Sequence, residues 1–184
     1  MNSLKNHLLI SVPHMNDDIF ERSVIYICEH NTEGAMGLII NKPMENISFK
    51  NQNSINHLNS DYFENLQMKL YYGGPILVEK IIALHTNELK TESTIALNNK
   101  ISISSGEKII RDIEKKINSN YKLFCGHSGW GPGQLEREIE NGDWLLQASK
   151  TDLLFNLTAE KIWGNAIESL GINIIDISNM SGSA

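Results

Sequence analysis

Two apolar runs separated by a short turn, VIYICEH (24–30) and MGLIINKP (36–43), constrain the fold more than any other feature. The first is β-branched and aromatic, which suits a strand. The second is stopped by Pro43, which cannot donate to a strand ladder. Between them, NTEGA has the Asn and Gly chemistry of a turn. So short a connection returns the chain antiparallel, because a parallel crossover needs a dozen residues or more. The pair therefore reads as a hairpin. HLLISV (7–12) reads as an earlier strand ending at Pro13. KLYYGGP (69–75) and EKIIALHT (79–86) read as strands around a Gly-Gly-Pro turn. TIALNNKISISS (94–105) reads as two short strands around Asn98-Asn99.

Helical patterns enter mainly in the second half. Residues 48–59 show a weak one, with Ser48 as N-cap and Phe49, Ile55 and Leu58 on one face. The clearest spans 106–118, where Ile109, Ile110, Ile113 and Ile117 form an apolar stripe. Ser104 and Glu107 fit a capping box ahead of it. YKLFCG (121–126) reads as a buried strand, GQLEREIENG (133–142) as a short helix stopped by Gly142, and DWLLQAS (143–149) as a strand. Thr158 caps a last helix, 159–170, with Ile162, Trp163, Ala166, Ile167 and Leu170 inward. The small polar tail, 178–184, is expected to fray. Without regular βαβ alternation, the class is α+β with a mostly antiparallel sheet. A chain of 184 residues can bury one core unaided, so a single domain over 1–184 is expected.

The net charge of −6 disfavours non-specific nucleic-acid binding, which depends on Lys and Arg displacing counterions from phosphates. An anionic membrane surface is disfavoured for the same reason. Two cysteines, Cys28 and Cys125, sit inside apolar runs, as expected of reduced buried thiols. The apolar stretch before Pro13 is too short for a signal peptide. No run approaches transmembrane length, and the expected compartment is the cytoplasm.

The densest stretch for chemistry is GHSGWGPGQLEREIENGDWL (126–145). Ser128 lies between a strand and a helix, as in a nucleophile elbow. That elbow needs glycine where Trp130 stands, and a later histidine as base, yet no histidine follows His127. The glycines 129, 131 and 133 suggest an anion cradle opening a helix. Glu136 and Glu138 in the first turns would repel an anion, so the glycines read as a tight reversal that folds Trp130 inward. Cys28-x-His30 and Cys125-x-His127 would make a Cys₂His₂ zinc site if their strands met, but a one-residue spacing is unusual for zinc. No metal and no cofactor is expected. Asp17, Asp18, Glu21 and Arg22 form a polar turn, which reads as solvated charge.

Four segments, HLLISVPHMNDDIFERSVIYICEHNTEGAMGLIINKP, YYGGPI, GHSGWGPGQLEREIENGDWL and LGINIIDIS, resemble in order the YqgE/AlgH family of bacterial proteins. The resemblance spans nearly the whole chain. It implies a single α+β domain whose bifurcated sheet curls into a pseudo-barrel with flanking helices. The family has no established biochemical activity, and one branch is named for regulation of alginate synthesis. The motif positions carried over are Pro13, Arg22, Ser23, Glu29, His30, Gly37, Asn41, Pro43, Gly73, Gly74, Pro75, His85, Gly129, Trp130, Gly131, Gln134, Leu135 and Glu136. Gly133 joins the glycines expected to be structural. The chain departs from the family pattern at Lys42, Cys125, His127 and the ISISS segment (101–105), where the family has Arg, an apolar residue, a common aromatic and a Thr-rich stretch.

Taken together, the expectation is a non-enzymatic binding or transcriptional regulatory protein of the cytoplasm, with an unidentified protein partner. Its candidate contact residues are Arg22, His30, Asn41, His85, Trp130 and Gln134. The alternative is an enzyme on an anionic or acyl substrate, with His30 or His85 as base. A helix-turn-helix would need two closely joined helices and a basic face, and the acidic helix at 133–142 has the wrong sign.

Overall fold

Strand alternation sends successive side chains to opposite faces, and in this protein it supplies three packed cores from one sheet. The computed structural model describes residues 2–44, 68–106, 108–114 and 120–172. Its strands are β1 (His7–Ser11), β2 (Val24–Asn31), β3 (Gly34–Ile39), β4 (Leu70–Tyr72), β5 (Ile76–Thr86), β6 (Ile95–Ala96), β7 (Ile101–Ser105), β8 (Tyr121–Trp130) and β9 (Trp144–Ala148). Its helices are α1 (Lys108–Glu114), α2 (Gln134–Glu140), α3 (Thr151–Phe155) and α4 (Ala159–Ser169). The strand order is β6-β7-β5-β8-β3-β2-β1-β9, with β4 off this path and paired to β8. The pairings among these strands are antiparallel except β4 with β8. This mostly antiparallel sheet curls into a half-barrel.

One face of the sheet gathers Leu8, Ile10, Val24, Tyr26, Leu38, Leu84 and Phe124, which pack against Ile162, Trp163, Ala166 and Ile167 of α4. The opposite face carries two separate clusters. Ile81, Ala83, Leu123 and Cys125 pack with Ile109, Ile110 and Ile113 of α1. Leu9, Ile25, Ile27 and Ile39 pack with Trp130, Trp144 and Leu135 of α2. The stripe 109, 110, 113 is therefore used as the sequence predicts.

The sheet forks along β8. Residues 123–125 of β8 run parallel to β4, from Leu70↔Leu123 to Tyr72↔Cys125. Residues 128–130 instead run antiparallel to β3, from Gly37↔Ser128 to Ala35↔Trp130. Gly126 lies between the two halves with φ +70°. Its bend switches β8 from one neighbour to the other. A Cβ there would stand 2.5 Å from the Gly74 carbonyl oxygen and 2.8 Å from that of Ile76. Both the backbone angle and the close approach demand glycine. On its other edge β8 pairs with β5, whose register slips between Ile76 and Ile81, where Leu77 has φ +51°.

Several expectations change. The strand expected to end at 126 continues through Gly126, His127, Ser128 and Gly129 to Trp130, so most of the stretch taken as a reversal is sheet. The strand expected over 36–43 is Gly34–Ile39, and Pro43 makes an isolated bridge to Tyr71. Ser104 lies on β7 with its hydroxyl bonded to His85 and Thr94; Glu107, its expected capping-box partner, lies outside the described residues. Helix α3 was not foreseen, and Leu170 is 37% exposed rather than inward. The helix expected at 48–59, residues 107 and 115–118 of the long helix, and the tail 178–184 lie outside the described residues.

Candidate functional site

The six candidate contact residues fall into three places. Strand β2 carries a register shift between Ile27 and Glu29. Val24, Tyr26 and Cys28 face one core and Ile25 and Ile27 the other. The extra residue flips the parity, so His30 faces α2 instead of sharing a face with Cys28. Its side chain is 5% exposed. The Leu4 N–H donates to His30 Nδ1 at 2.9 Å. That nitrogen therefore carries a lone pair, and Nε2–H donates to Glu136 Oε1 at 3.0 Å. Both ring nitrogens are occupied, which leaves no lone pair for a substrate proton. Its own backbone N–H, and then His30, hold the Glu136 carboxyl below its usual range.

Trp130 and Gln134 belong to the same place. Glu138 Oε2 accepts the indole N–H of Trp130 at 2.8 Å and that of Trp144 at 2.9 Å. The two rings meet edge to face with centroids 6.5 Å apart. Gln134 Nε2 donates to Glu138 Oε1 at 2.8 Å, and Gln134 Oε1 accepts the Gly131 N–H at 3.0 Å. Helix α2 is thus stapled to the sheet through its carboxylates. Sequence reasoning read Glu136 and Glu138 as dipole partners and missed the clamp. Its signal was there, since Trp130 and Trp144 flank a helix whose carboxylate sits between them in the chain.

A Cβ placed on Gly131 meets nothing closer than the Gln134 Oε1 atom at 3.9 Å, so the position has room. The glycines under steric demand lie elsewhere: a Cβ on Gly73 would stand 2.2 Å from the Gly126 carbonyl oxygen, and one on Gly74 2.3 Å from the His127 carbonyl carbon.

Arg22 and Asn41 form the second place, beyond the end of β1. Arg22 has φ +49°, a left-handed angle rare for a side chain of its size. The backbone around it is pinned. Asn41 Nδ2 donates to the Arg22 carbonyl at 2.9 Å, and Asn41 Oδ1 accepts the Val24 N–H at 2.8 Å. The Ser23 N–H donates to Ser11 Oγ at 2.9 Å. Asp17 Oδ1 accepts the N–H groups of Ile19 and Phe20, both at 2.8 Å, and Lys42 Nζ donates to the Ile19 carbonyl. Burial lowers the Lys42 ammonium below its ordinary value. The carboxylate turn is therefore partly structural through Asp17. The Arg22 side chain is 73% exposed, 3.9 Å from Glu21, with its guanidinium 5.8 Å above the Trp163 ring.

His85 stands alone on β5, fully buried. Its Nδ1–H donates to the Thr86 carbonyl at 2.9 Å, and its Nε2 meets Ser104 Oγ at 2.8 Å. Burial holds its imidazole below the ordinary pKa. Ser128 does not join any histidine. It is buried on β8 and donates to the Gly73 carbonyl at 3.2 Å. Arg22, His30 and Ser128 thus engage separate neighbours among the described residues.

The zinc geometry does not assemble, because β3 lies between β2 and β8. Cys28 and Cys125 face opposite cores, and burial raises both thiols, Cys125 to about 12. Among the described residues, no three His, Cys, Asp or Glu side chains are placed to hold a metal ion. No helix among them is long and apolar enough to cross a membrane. Helices α3 and α4 are closely joined, but the exposed positions of α4 include Glu160, Lys161 and Glu168, a net −1 from two acids and one base. They offer no basic face for DNA.

A family model described as AlgH-like matches residues 8–175. A UPF0301 protein of Shewanella loihica is 36% identical over 188 residues, covering all of both chains. A UPF0301 protein of Proteus mirabilis is 36% identical over 186 residues, covering 99% of this chain and all of the other. The solution structure of the AlgH protein from Pseudomonas aeruginosa is 30% identical, with a TM-score of 0.74 over 100% of this chain and 95% of that one. A crystal structure of a protein from Corynebacterium diphtheriae, 22% identical, shares the fold with a TM-score of 0.68 over 92% and 87%.

Proposed function

The chain belongs to the AlgH-like family, and we propose from that premise that it is a non-enzymatic binding or regulatory protein of the cytoplasm whose contact surface centres on Arg22. The observation that carries this proposal is the backbone of Arg22. A left-handed angle on a large side chain costs about 1–2 kcal/mol, and it persists here because Asn41 and Ser11 fix the surrounding chain. The side chain is largely exposed, with its guanidinium over the Trp163 ring. Strain of this kind clusters at functional sites, where it aims a group at a ligand or partner.

Arg22 presents a planar donor fork backed by the Trp163 ring, and Glu21, Asp17 and Asp18 lie next to it in the chain. The fork suits a carboxylate or a backbone carbonyl on a protein partner. His30 and Trp130 have their polar side-chain atoms engaged within the molecule, whereas Gln134 is exposed beside Glu138 and remains a candidate contact. The test is an affinity pull-down from native cell extract with wild type and Arg22→Ala side by side. A specific partner lost in Arg22→Ala supports the proposal. A partner retained at equal yield moves the contact surface elsewhere.

A second reading, an enzyme with a histidine base on an acyl substrate, draws on one observation, the contact between Ser104 and His85.

A further inference from the structure

A line of hydroxyls runs from the surface to the buried imidazole of His85, and its hydrogen bonds have one direction. The Thr86 carbonyl can only accept, so His85 Nδ1 carries the ring proton. His85 Nε2 is then a lone pair, and Ser104 Oγ–H donates to it at 2.8 Å. With its proton committed, Ser104 Oγ accepts the Thr94 hydroxyl at 2.9 Å. Thr94 Oγ1 in turn accepts the Thr91 N–H at 2.7 Å. A serine hydroxyl aimed at a neutral imidazole, whose other nitrogen is fixed by an acceptor, is the arrangement of nucleophile, base and orienting group. Burial supports it by keeping His85 in the neutral, proton-accepting form.

Among the described residues, the Thr91–Thr94 turn is bonded to this pair through Ser104. Ser104 is 1% exposed, while Thr91 and Thr94 are half-buried and Ser93 is exposed. Thr94 N–H closes the turn on the Thr91 carbonyl at 3.2 Å, and Ser93 Oγ donates to the Ser105 carbonyl at 2.8 Å. The turn is thus hydrogen-bonded to β7 through hydroxyls, which water can replace. The charges next to this line are carboxylates: the Thr86 hydroxyl donates to Glu88, and Glu92 lies within the turn. Such surroundings favour a neutral ligand over an anion.

We propose that Ser104 is a nucleophile with His85 as its base, capped by the Thr91–Thr94 turn, and that it reacts with neutral esters. Ser104 Oγ bonds to the carbonyl carbon while its proton passes to His85 Nε2. The imidazolium returns that proton to the departing alkoxide as the acyl–oxygen bond breaks. Water, deprotonated by the same nitrogen, then releases the acid and restores the serine. The proposal rests on the second reading above: its success would replace the non-enzymatic part of the first reading, and its failure leaves the Arg22 surface untouched.

The test uses the full chain and diisopropyl fluorophosphate, a neutral phosphorylating probe, with intact-mass detection and peptide mapping. The expected result is one adduct on Ser104, absent from Ser104→Ala. Its rate in wild type holds through the ordinary imidazole range and falls only at lower pH, because burial depresses the protonation of His85 and a protonated His85 cannot accept the serine proton. Thr94→Ala, which removes one hydroxyl of the cap, labels about fivefold faster. His85→Gln labels about 100-fold slower or less, and circular dichroism confirms that each variant is folded. If His85→Gln does not fold, the pH profile of wild type decides the role of the base. Absence of labelling in both wild type and Thr94→Ala, or an adduct that persists in Ser104→Ala, overturns the proposal.

Discussion

Replacing Glu138 with alanine removes the acceptor shared by two buried tryptophans. Trp130 is 8% exposed and Trp144 5%, and both donate to the same Oε2 atom. A buried donor that loses its partner costs about 1–3 kcal/mol, so two of them span roughly 2–6 kcal/mol. Glu138 is itself half-buried, and water entering the vacated space recovers part of this, which places the expected loss near 3 kcal/mol. In a domain of this size that lowers Tm by about 6–12 °C. Glu138→Gln keeps a carbonyl oxygen and loses the charge, so it costs about 1 kcal/mol. Urea unfolding followed by tryptophan fluorescence reads both, since two of the chain's three tryptophans are in the clamp. If Glu138→Ala stays within about 0.5 kcal/mol of wild type, α2 is not stapled in the way the contacts imply.

Other consequences follow from the glycines and from a buried lysine. Gly126→Ala is expected to cost about 3 kcal/mol or more, from the left-handed angle plus two displaced carbonyls, whereas Gly131→Ala stays within about 1 kcal/mol of wild type. Equal melting temperatures for the two would show that the fork at β8 is not where glycine matters. Lys122 is 5% exposed, donates to the Ile40 carbonyl at 3.1 Å and lies 4.8 Å from the Tyr71 ring; burial, then Lys69, pushes its pKa down to about 8. Its unfolded value near 10.4 is higher, so the unfolded state binds more protons between these limits and stability rises with pH from about 8 to about 10. Denaturation at pH values across that window should show the rise in wild type and a flatter line in Lys122→Met. Identical slopes would place the ammonium in water.

The strands were legible in the sequence because β-branched runs end at Pro13 and Pro43, and α1 was legible from its isoleucine stripe. The end of β8 was not, because Gly126, Ser128, Gly129 and Gly131 have the composition of a loop. Gly126 and Gly129 are strand residues that leave room for neighbouring chain, a tertiary demand that local composition does not encode. The flip of His30 away from Cys28 was invisible for a related reason, since nothing in VIYICEHN marks the register shift. The hydroxyl line to His85 was overlooked although ISISS alternates, which is the period of a strand with serines on one face. Arg22 was legible as a motif position, but its strained backbone was not, because that angle is imposed by Asn41 and Ser11 from other parts of the chain.

The most direct measurement on the central claim separates the backbone of Arg22 from its side chain. Arg22→Gly releases about 1–2 kcal/mol of strain, offset by about 0.4–1 kcal/mol of added unfolded-chain freedom and about 0.5 kcal/mol for the lost contact with Trp163. Arg22→Ala keeps the strain and loses the contact. Urea unfolding and capture from native extract are run on both variants beside wild type. If Arg22 is strained to aim its guanidinium at a partner, Arg22→Gly is at least as stable as Arg22→Ala, stays within about 1 kcal/mol of wild type, and captures nothing specific. An Arg22→Gly protein that keeps the partner, or that loses more than about 2 kcal/mol, contradicts the claim.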